Sequence, residues 1–380
     1  MDLSLTADEE HFRKRLEDWL AVVEIPEGLR DYGSTPTADD IDAGRAWQQL
    51  LVEAGWAALS WPAPHGVGAT PSEQALFAEA LARRGLPRQL SFVSMELAGP
   101  IIIAFGSPSQ QAAHLEPIRR GAALWCQLFS EPGAGSDLAG LSTRADATGS
   151  GSWRVTGQKV WTSGAHYSHH GLLLARTDRA AGRHRGITCF ALPMDRPGVT
   201  VRPIQQMDGE SKFNEVFLDE VEVGEADVLG EVGGGWQVAL SVLGRERRML
   251  GAVAIGLGAG LTEIREVAEE RGSADGVFRA RWADLWGRVQ MLRWTWFRLL
   301  SDDRGSATDP RMSVLKLTSS QLQQQVAALA TDVLGPAFVT GRDGEAWRHR
   351  FLASHGATIA GGTSEIQRSI LGERVLHLPR

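Results

Sequence analysis

The sequence predicts an α+β chain, mainly α, in which one block of strands is set between two helical regions. Three observations carry that prediction. Helical periodicity runs through the first 122 or so residues; short β-rich runs crowd together after "SEPGAGSD"; and long amphipathic patterns return from Trp236 onward. The strands are bunched instead of alternating with helices, which argues against a doubly wound parallel sheet. With 380 residues the chain exceeds the roughly 250–300 at which one core stops growing, so two or three domains are expected.

The elements follow in order. Thr6 and Glu9 have capping-box spacing, and Phe12, Leu16, Trp19, Leu20 and Val23 fall on one face of the helix they start. Periodicity recurs in "IDAGRAWQQLLVEAGW" and "SEQALFAEALARRG", with "SWPAPHGVGATP" as the break between them. Strands are predicted at "SWRVTGQKVWTS", "GLLLART", "ITCFALP", "GVTVRP" and "NEVFLDEVEV", divided by Gly, Pro and Asp turns. Helices are expected at 236–271, 277–303 and 311–334, and from about 364. The regions are therefore 1–122, 123–228 and 229–380.

Composition narrows the function. A formal net charge of −7 with scattered arginines argues against a nucleic-acid surface. No run approaches the ~18 apolar residues of a membrane span. The N-terminus lacks the basic start and apolar middle of an export signal, so a cytoplasmic location is expected. Cys126 and Cys189 sit in apolar runs and offer neither a disulfide framework nor a metal-ligand cluster.

The glycine-rich stretches resolve differently. "EPGAGSD" has Gly-x-Gly, but the third fingerprint glycine would fall at Leu138 and no P-loop Lys follows. "GLGAG" (256–260) lies inside a helical pattern, where small residues permit close packing. In "AGGTSEIQRSILGERVL" (360–376), Ser364 and Gln367 have capping-box spacing after two glycines, either an ordinary capped helix or a place for an anion.

One carboxylate stands out. Leu243, Glu246, Leu250 and Val253 recur at helical spacing, so Glu246 shares the inward face. Arg245, Arg247 and Arg248 are one or two positions away and should point elsewhere. A buried carboxylate without an in-helix partner suits a general base, and an ion pair to an arginine from another helix is the structural alternative.

Taken together, "SEPGAGSD", "GQKVWTS" and "IAGGTSEIQR" resemble three signatures of the acyl-CoA dehydrogenase family, in its order and spacing. The resemblance implies an N-terminal helical domain, a β-barrel-like middle domain and a C-terminal four-helix bundle. It implies FAD as cofactor, with Gln127, Phe129, Ser130, Trp161, Thr162 and Ser163 near the flavin and Thr363 and Glu365 near its adenosine-diphosphate part. Asp332 and Gly335, in "TDVLGPA", resemble a segment that usually serves a neighbouring subunit. Ser136 and Arg247 fall to the substrate, an acyl-CoA or acyl-carrier-protein thioester, and an electron-transfer flavoprotein is the implied acceptor.

Two departures refine this. Short- and medium-chain members carry the base where this sequence has Gly361; members similar to the isovaleryl and long-chain enzymes carry it on the helix after the β domain, at the position of Glu246. The Arg-x-x-Phe-Gly run that grips FAD across an interface is replaced by "ERGSADGVFRARW". That is similar to steroid side-chain dehydrogenases, some of them heteromers with incomplete flavin occupancy, so a homo- or hetero-oligomer is expected. α,β-Desaturation of a thioester is the function this implies. A flavin monooxygenase on the same fold and a non-catalytic partner subunit are the alternatives.

Overall fold

The computed structural model describes residues 5–149, 151–301, 309–341 and 344–379, except the side chains of 248–250 and 301. The chain forms two compact units, Met1–Val242 and Leu243–Arg380. Arg248 and Leu250 of the sequence reading therefore lie outside the described side chains, as do residues 302 and 303 of the predicted third-region helix.

The first unit opens with helices α1 (Ala7–Val22), α2 (Ile41–Glu53), α3 (Pro71–Ala82), α4 (Gly99–Phe105) and α5 (Pro108–Arg119). Helix α1 starts where Thr6 Oγ1 accepts the Glu9 N–H and the Glu9 carboxylate accepts the Thr6 N–H, satisfying two otherwise orphaned donors. Its stripe of Phe12, Leu16 and Leu20 is buried against Trp47, Leu51, Trp56, Phe77 and Leu81, while Trp19 and Val23 are partly covered. The same capping box recurs at Thr70 and Ser107, each followed by a proline in the first turn.

Eight strands follow: β1 (Trp125–Leu128), β2 (Arg144–Ala147), β3 (Ser152–Ser163), β4 (His170–Arg176), β5 (Ile187–Pro193), β6 (Val199–Ile204), β7 (Phe213–Gly224) and β8 (Val228–Leu229). They form one sheet in the order β6-β7-β3-β2-β4-β5-β8, with β1 pairing in parallel to β4. The long antiparallel ribbon of β3 and β7 contains a register shift between Lys159 and Thr162, where β3 carries one residue more than its partner. Apolar residues of β1, β3, β4, β5 and β7 build the core under the sheet, with Cys126 inside it; Cys126 and Cys189 are both buried free thiols.

Helix α6 (Gly235–Met249) carries the chain across the division. The second unit continues with α7 (Val253–Glu270), α8 (Gly276–Ser301), α9 (Ser313–Leu334), α10 (Pro336–Thr340), α11 (Glu345–Ala357) and α12 (Ser364–Ile370). Helices α7, α8, α9 and α11 pack on one another as a bundle. The single helix expected over 236–271 is two, joined by a tighter turn at Leu250–Ala252. There Gly251 lies flush on Trp296 of α8, and a Cβ would come within 2.0 Å of the indole, so close packing explains the glycine at the break. Within "GLGAG", a Cβ on Gly260 would come within 3.1 Å of Trp347 of α11, which bears out the packing reading at that position, whereas Gly256 meets nothing within 4 Å and Gly258 meets Trp286 only at 4.0 Å, so close packing does not account for those two. Among the described residues no helix is long and apolar enough to cross a membrane.

Candidate active site

The stretch "SEPGAGSD" begins as a tight turn: Glu131 and Ala134 exchange both backbone hydrogen bonds around Pro132 and Gly133. Behind the turn, the Glu131 carboxylate accepts from Ser142 N–H (2.6 Å), Ser142 Oγ (2.7 Å), Thr143 N–H (3.0 Å) and Lys159 Nζ (2.8 Å). Burial alone would raise its pKa, but the Lys159 charge and these donors hold it down to about 2. Lys159 also donates to the Phe129 carbonyl at 3.2 Å, so one buried ion pair fixes the turn, the end of β1 and the middle of β3.

That clamp brings two groups of predicted residues together. The Val160 N–H donates to the Ser130 carbonyl at 2.9 Å, setting Gln127, Phe129 and Ser130 beside Trp161, Thr162 and Ser163. Trp161 sits in the β3 bulge with φ 59°, a left-handed backbone that costs a bulky residue energy. Its ring is 59% exposed although Phe213 packs edge-on to it. Next to it, Thr162 is buried and its Oγ1 has no hydrogen-bond partner, while its carbonyl accepts from Asn214 Nδ2 at 2.9 Å. An exposed aromatic face beside a buried hydroxyl fits a flat ring system with a polar edge, which is the character of an isoalloxazine. Ser136 lies in the exposed part of the loop, next to Asp137, which pairs with Arg183.

The second unit gathers Glu246, Arg247, Thr363 and Glu365. Gly361 (φ 66°) and Gly362 (φ 94°) turn the chain before α12, and a Cβ on Gly361 would lie 2.9 Å from Glu246 Oε1. Positions 246 and 361, the two at which the resemblance would place a base, thus lie against each other. Gln367, fully buried, donates from Nε2 to the Gly361 and Gly362 carbonyls at 3.0 and 3.3 Å and so holds the glycine loop. The cap of α12 is Thr363, whose Oγ1 accepts the Ile366 N–H at 3.3 Å, one residue earlier than the Ser364 read from the sequence. Thr363 caps because its backbone is still extended, whereas Ser364 is already inside the helix, donating its N–H to the Thr358 carbonyl.

Glu246 keeps some contact with solvent but is surrounded closely enough that burial pushes its pKa above the usual carboxylate range. The charges of Arg247 and then Lys316 act against that rise. Arg247 is half-buried, and its charge acts on the neighbouring carboxylate. The charge that acts on Glu246 from another helix is that of a lysine, Lys316 of α9, and not of the arginine that the sequence suggested as the alternative. Its signal was present: Met312, Leu315, Lys316, Ser319 and Leu322 form a buried stripe at helical spacing, so a lysine sits where an apolar residue belongs.

Asp332 and Gly335 are not brought to this group. They lie at the far end of α9, roughly 24 Å beyond Lys316 at the helical rise, and Asp332 pairs with Arg281 at 2.7 Å on the surface.

Family models for the acyl-CoA dehydrogenase N-terminal, middle and C-terminal domains match residues 6–122, 126–221 and 233–376. The chain belongs to the acyl-CoA dehydrogenase family, oxidoreductases that are FAD-dependent flavoproteins. It is 38% identical to acyl-CoA dehydrogenase IpdE1 of Mycobacterium tuberculosis, over 98% of both chains. Among solved structures it is similar to the Tcur3481-Tcur3483 steroid ACAD (TM-score 0.86, 25% identity, all of both chains). It is also similar to the ChsE4-ChsE5 complex from Mycobacterium tuberculosis (TM-score 0.83, 28% identity, all of both chains).

Proposed function

We propose that this chain catalyses α,β-desaturation of an acyl thioester with Glu246 as the base. The observation that carries the reading is the Glu246 carboxylate lying against Gly361, where a side chain would meet Oε1 at 2.9 Å. The α-carbon of a thioester is a weak acid, so the residue that deprotonates it must offer a carboxylate shielded from water, with proton affinity raised toward the working pH. Burial gives Glu246 that character, and the missing side chain at Gly361 leaves its carboxylate room. Glu246 takes the α-proton and becomes a neutral acid, which burial favours.

FAD, when bound, accepts the hydride that leaves the β-carbon. In the proposal Trp161 presents its exposed ring to the flavin, Thr162 and Ser163 offer hydroxyls, and Gln127, Phe129 and Ser130 line the same end of β1. Thr363 and Glu365 take the adenosine-diphosphate part. Ser136 and Arg247 are assigned to the thioester, and Asp332 and Gly335 to the flavin of a neighbouring subunit. The domain limits 1–122, 123–228 and 229–380, a cytoplasmic location and an electron-transfer flavoprotein as acceptor belong to the same proposal.

The steroid ACAD and the ChsE4-ChsE5 complex among the similar structures support a bulky acyl group and a hetero-oligomer. The test is anaerobic bleaching of the bound flavin by butyryl-, isovaleryl-, octanoyl- and steroid-side-chain CoA thioesters, repeated with Glu246→Gln. The variant is expected to stay yellow and to slow reduction at least about a hundredfold. Normal bleaching by Glu246→Gln sinks the base assignment, and no bleaching of the parent by any thioester sinks the dehydrogenase reading.

A further inference from the structure

Gln367 of α12 is fully buried, and the two polar atoms of its amide differ in their surroundings. Nε2 donates to the Gly361 carbonyl at 3.0 Å and to the Gly362 carbonyl at 3.3 Å. Both partners can only accept, so the atom facing them is the nitrogen. Oε1, on the other branch, is buried with no hydrogen-bond partner. An orphaned acceptor at this depth lowers stability, and a methionine would fill a similar volume without it. Packing therefore does not account for an amide here, whereas the two donated bonds do.

Those bonds act on the turn that lies against Glu246. Among the described residues Gly361 and Gly362 make no other hydrogen bond, so nothing else of that kind holds their two left-handed backbones in place. A Cβ on Gly362 would lie 2.6 Å from Gln367 Nε2, which puts turn and amide in direct contact. The same turn meets the carboxylate, since a Cβ on Gly361 would lie 2.9 Å from Glu246 Oε1 and 3.5 Å from its Cδ. As the capping-box partner of Ser364, Gln367 would instead have reached back to the Ser364 N–H. That N–H goes to the Thr358 carbonyl, and the cap at Thr363 leaves the amide free for the turn.

We propose that Gln367 is a positioning residue for the acid, fixing the Gly361–Gly362 turn as the wall beside which the Glu246 carboxylate is aimed. This rests on Glu246 being the base. Two adjacent glycines sample many backbone states unless something selects one. A wall free to shift by about 1 Å would let the carboxylate leave its line of attack, and errors of that size in a reacting group are costly.

Amide hydrogen exchange of the flavin-loaded protein reads the turn, and anaerobic flavin reduction reads the acid. Gln367→Met keeps the volume and removes the donor. It should melt within about 4 °C of the parent, because the orphaned acceptor leaves together with the two bonds. Exchange at residues 361–363 should quicken at least about tenfold, and reduction by whichever thioester bleaches the parent should slow at least about tenfold. Unchanged exchange in folded Gln367→Met overturns the proposal, and so does faster exchange with an unchanged rate of reduction. Should Gln367→Met fold poorly, Gln367→Glu decides. Its carboxylate has no proton to donate and repels both carbonyls, whereas its neutral acid donates one. Its deficits against the parent at the same pH should therefore shrink as pH falls from about 8.5 to about 6, and deficits that stay constant overturn the proposal. Exchange needs no turnover, so it still reports whether Gln367 holds the turn if Glu246→Gln bleaches normally and the base assignment falls.

Discussion

At the scale of single residues, the site depends on what Gly361 lacks. Its backbone is left-handed, which costs a residue with a Cβ about 1 kcal/mol, and that Cβ would displace the end of the Glu246 side chain. Gly361→Ala is expected to lower melting only slightly while slowing flavin reduction at least tenfold, because an error near 1 Å in a reacting group is costly. Comparing the melting temperature with the rate checks this; equal, small effects on both would refute it. Glu131 makes the opposite kind of prediction. Its folded pKa is about 2, below the ordinary carboxylate value, so its stabilising contribution is complete above that ordinary value and is lost as pH falls toward 2. Glu131→Gln leaves Lys159 buried without its counter-charge and should cost about 3–5 kcal/mol in denaturant unfolding. The acid-side loss of stability should then be shallower than in the parent.

At the scale of elements, much was legible. Runs read as strands over 152–163, 187–193 and 214–223 coincide with or fall inside β3, β5 and β7, because alternating Val, Thr and aromatic residues between Gly and Pro turns leave few other conformations. Short β1, β2 and β8 gave too few residues to show a period. The β3 bulge was invisible, since one extra residue changes register without changing composition, yet it is what exposes Trp161. Helix α11 and the break at Leu250–Ala252 were also hidden, the break because a glycine inside a helical pattern looks the same whether it packs on Trp296 or faces water. Glu246 was legible as an acid on an apolar stripe; Lys316 carried the same signature but was hidden among the serines of α9. From the bulge comes a separate prediction. Trp161→Ala removes a largely exposed ring and relieves a left-handed backbone only in part, so stability should change by less than about 0.5 kcal/mol. Flavin retention on gel filtration should drop at least tenfold, and unchanged retention would remove Trp161 from the proposed cofactor set.

At the scale of the whole molecule, the separation along α9 matters. Asp332 pairs with Arg281 on the surface near the end of α9 away from Lys316, and the proposal gives it and Gly335 to the flavin of a second subunit. The purified protein should sediment well above its 41.2 kDa chain mass, and Asp332→Ala should lower flavin content while leaving the reduction rate per bound flavin unchanged. A strictly monomeric, fully yellow preparation would contradict this. The contact between residues 246 and 361 also reaches into heredity. A carboxylate installed on the loop while the helix keeps its own would crowd the first, and one of the two would keep its proton. A descendant moving its acid from one address to the other must pass through an ancestor with a crowded pair or with none, which makes drift between the two arrangements by single substitutions costly.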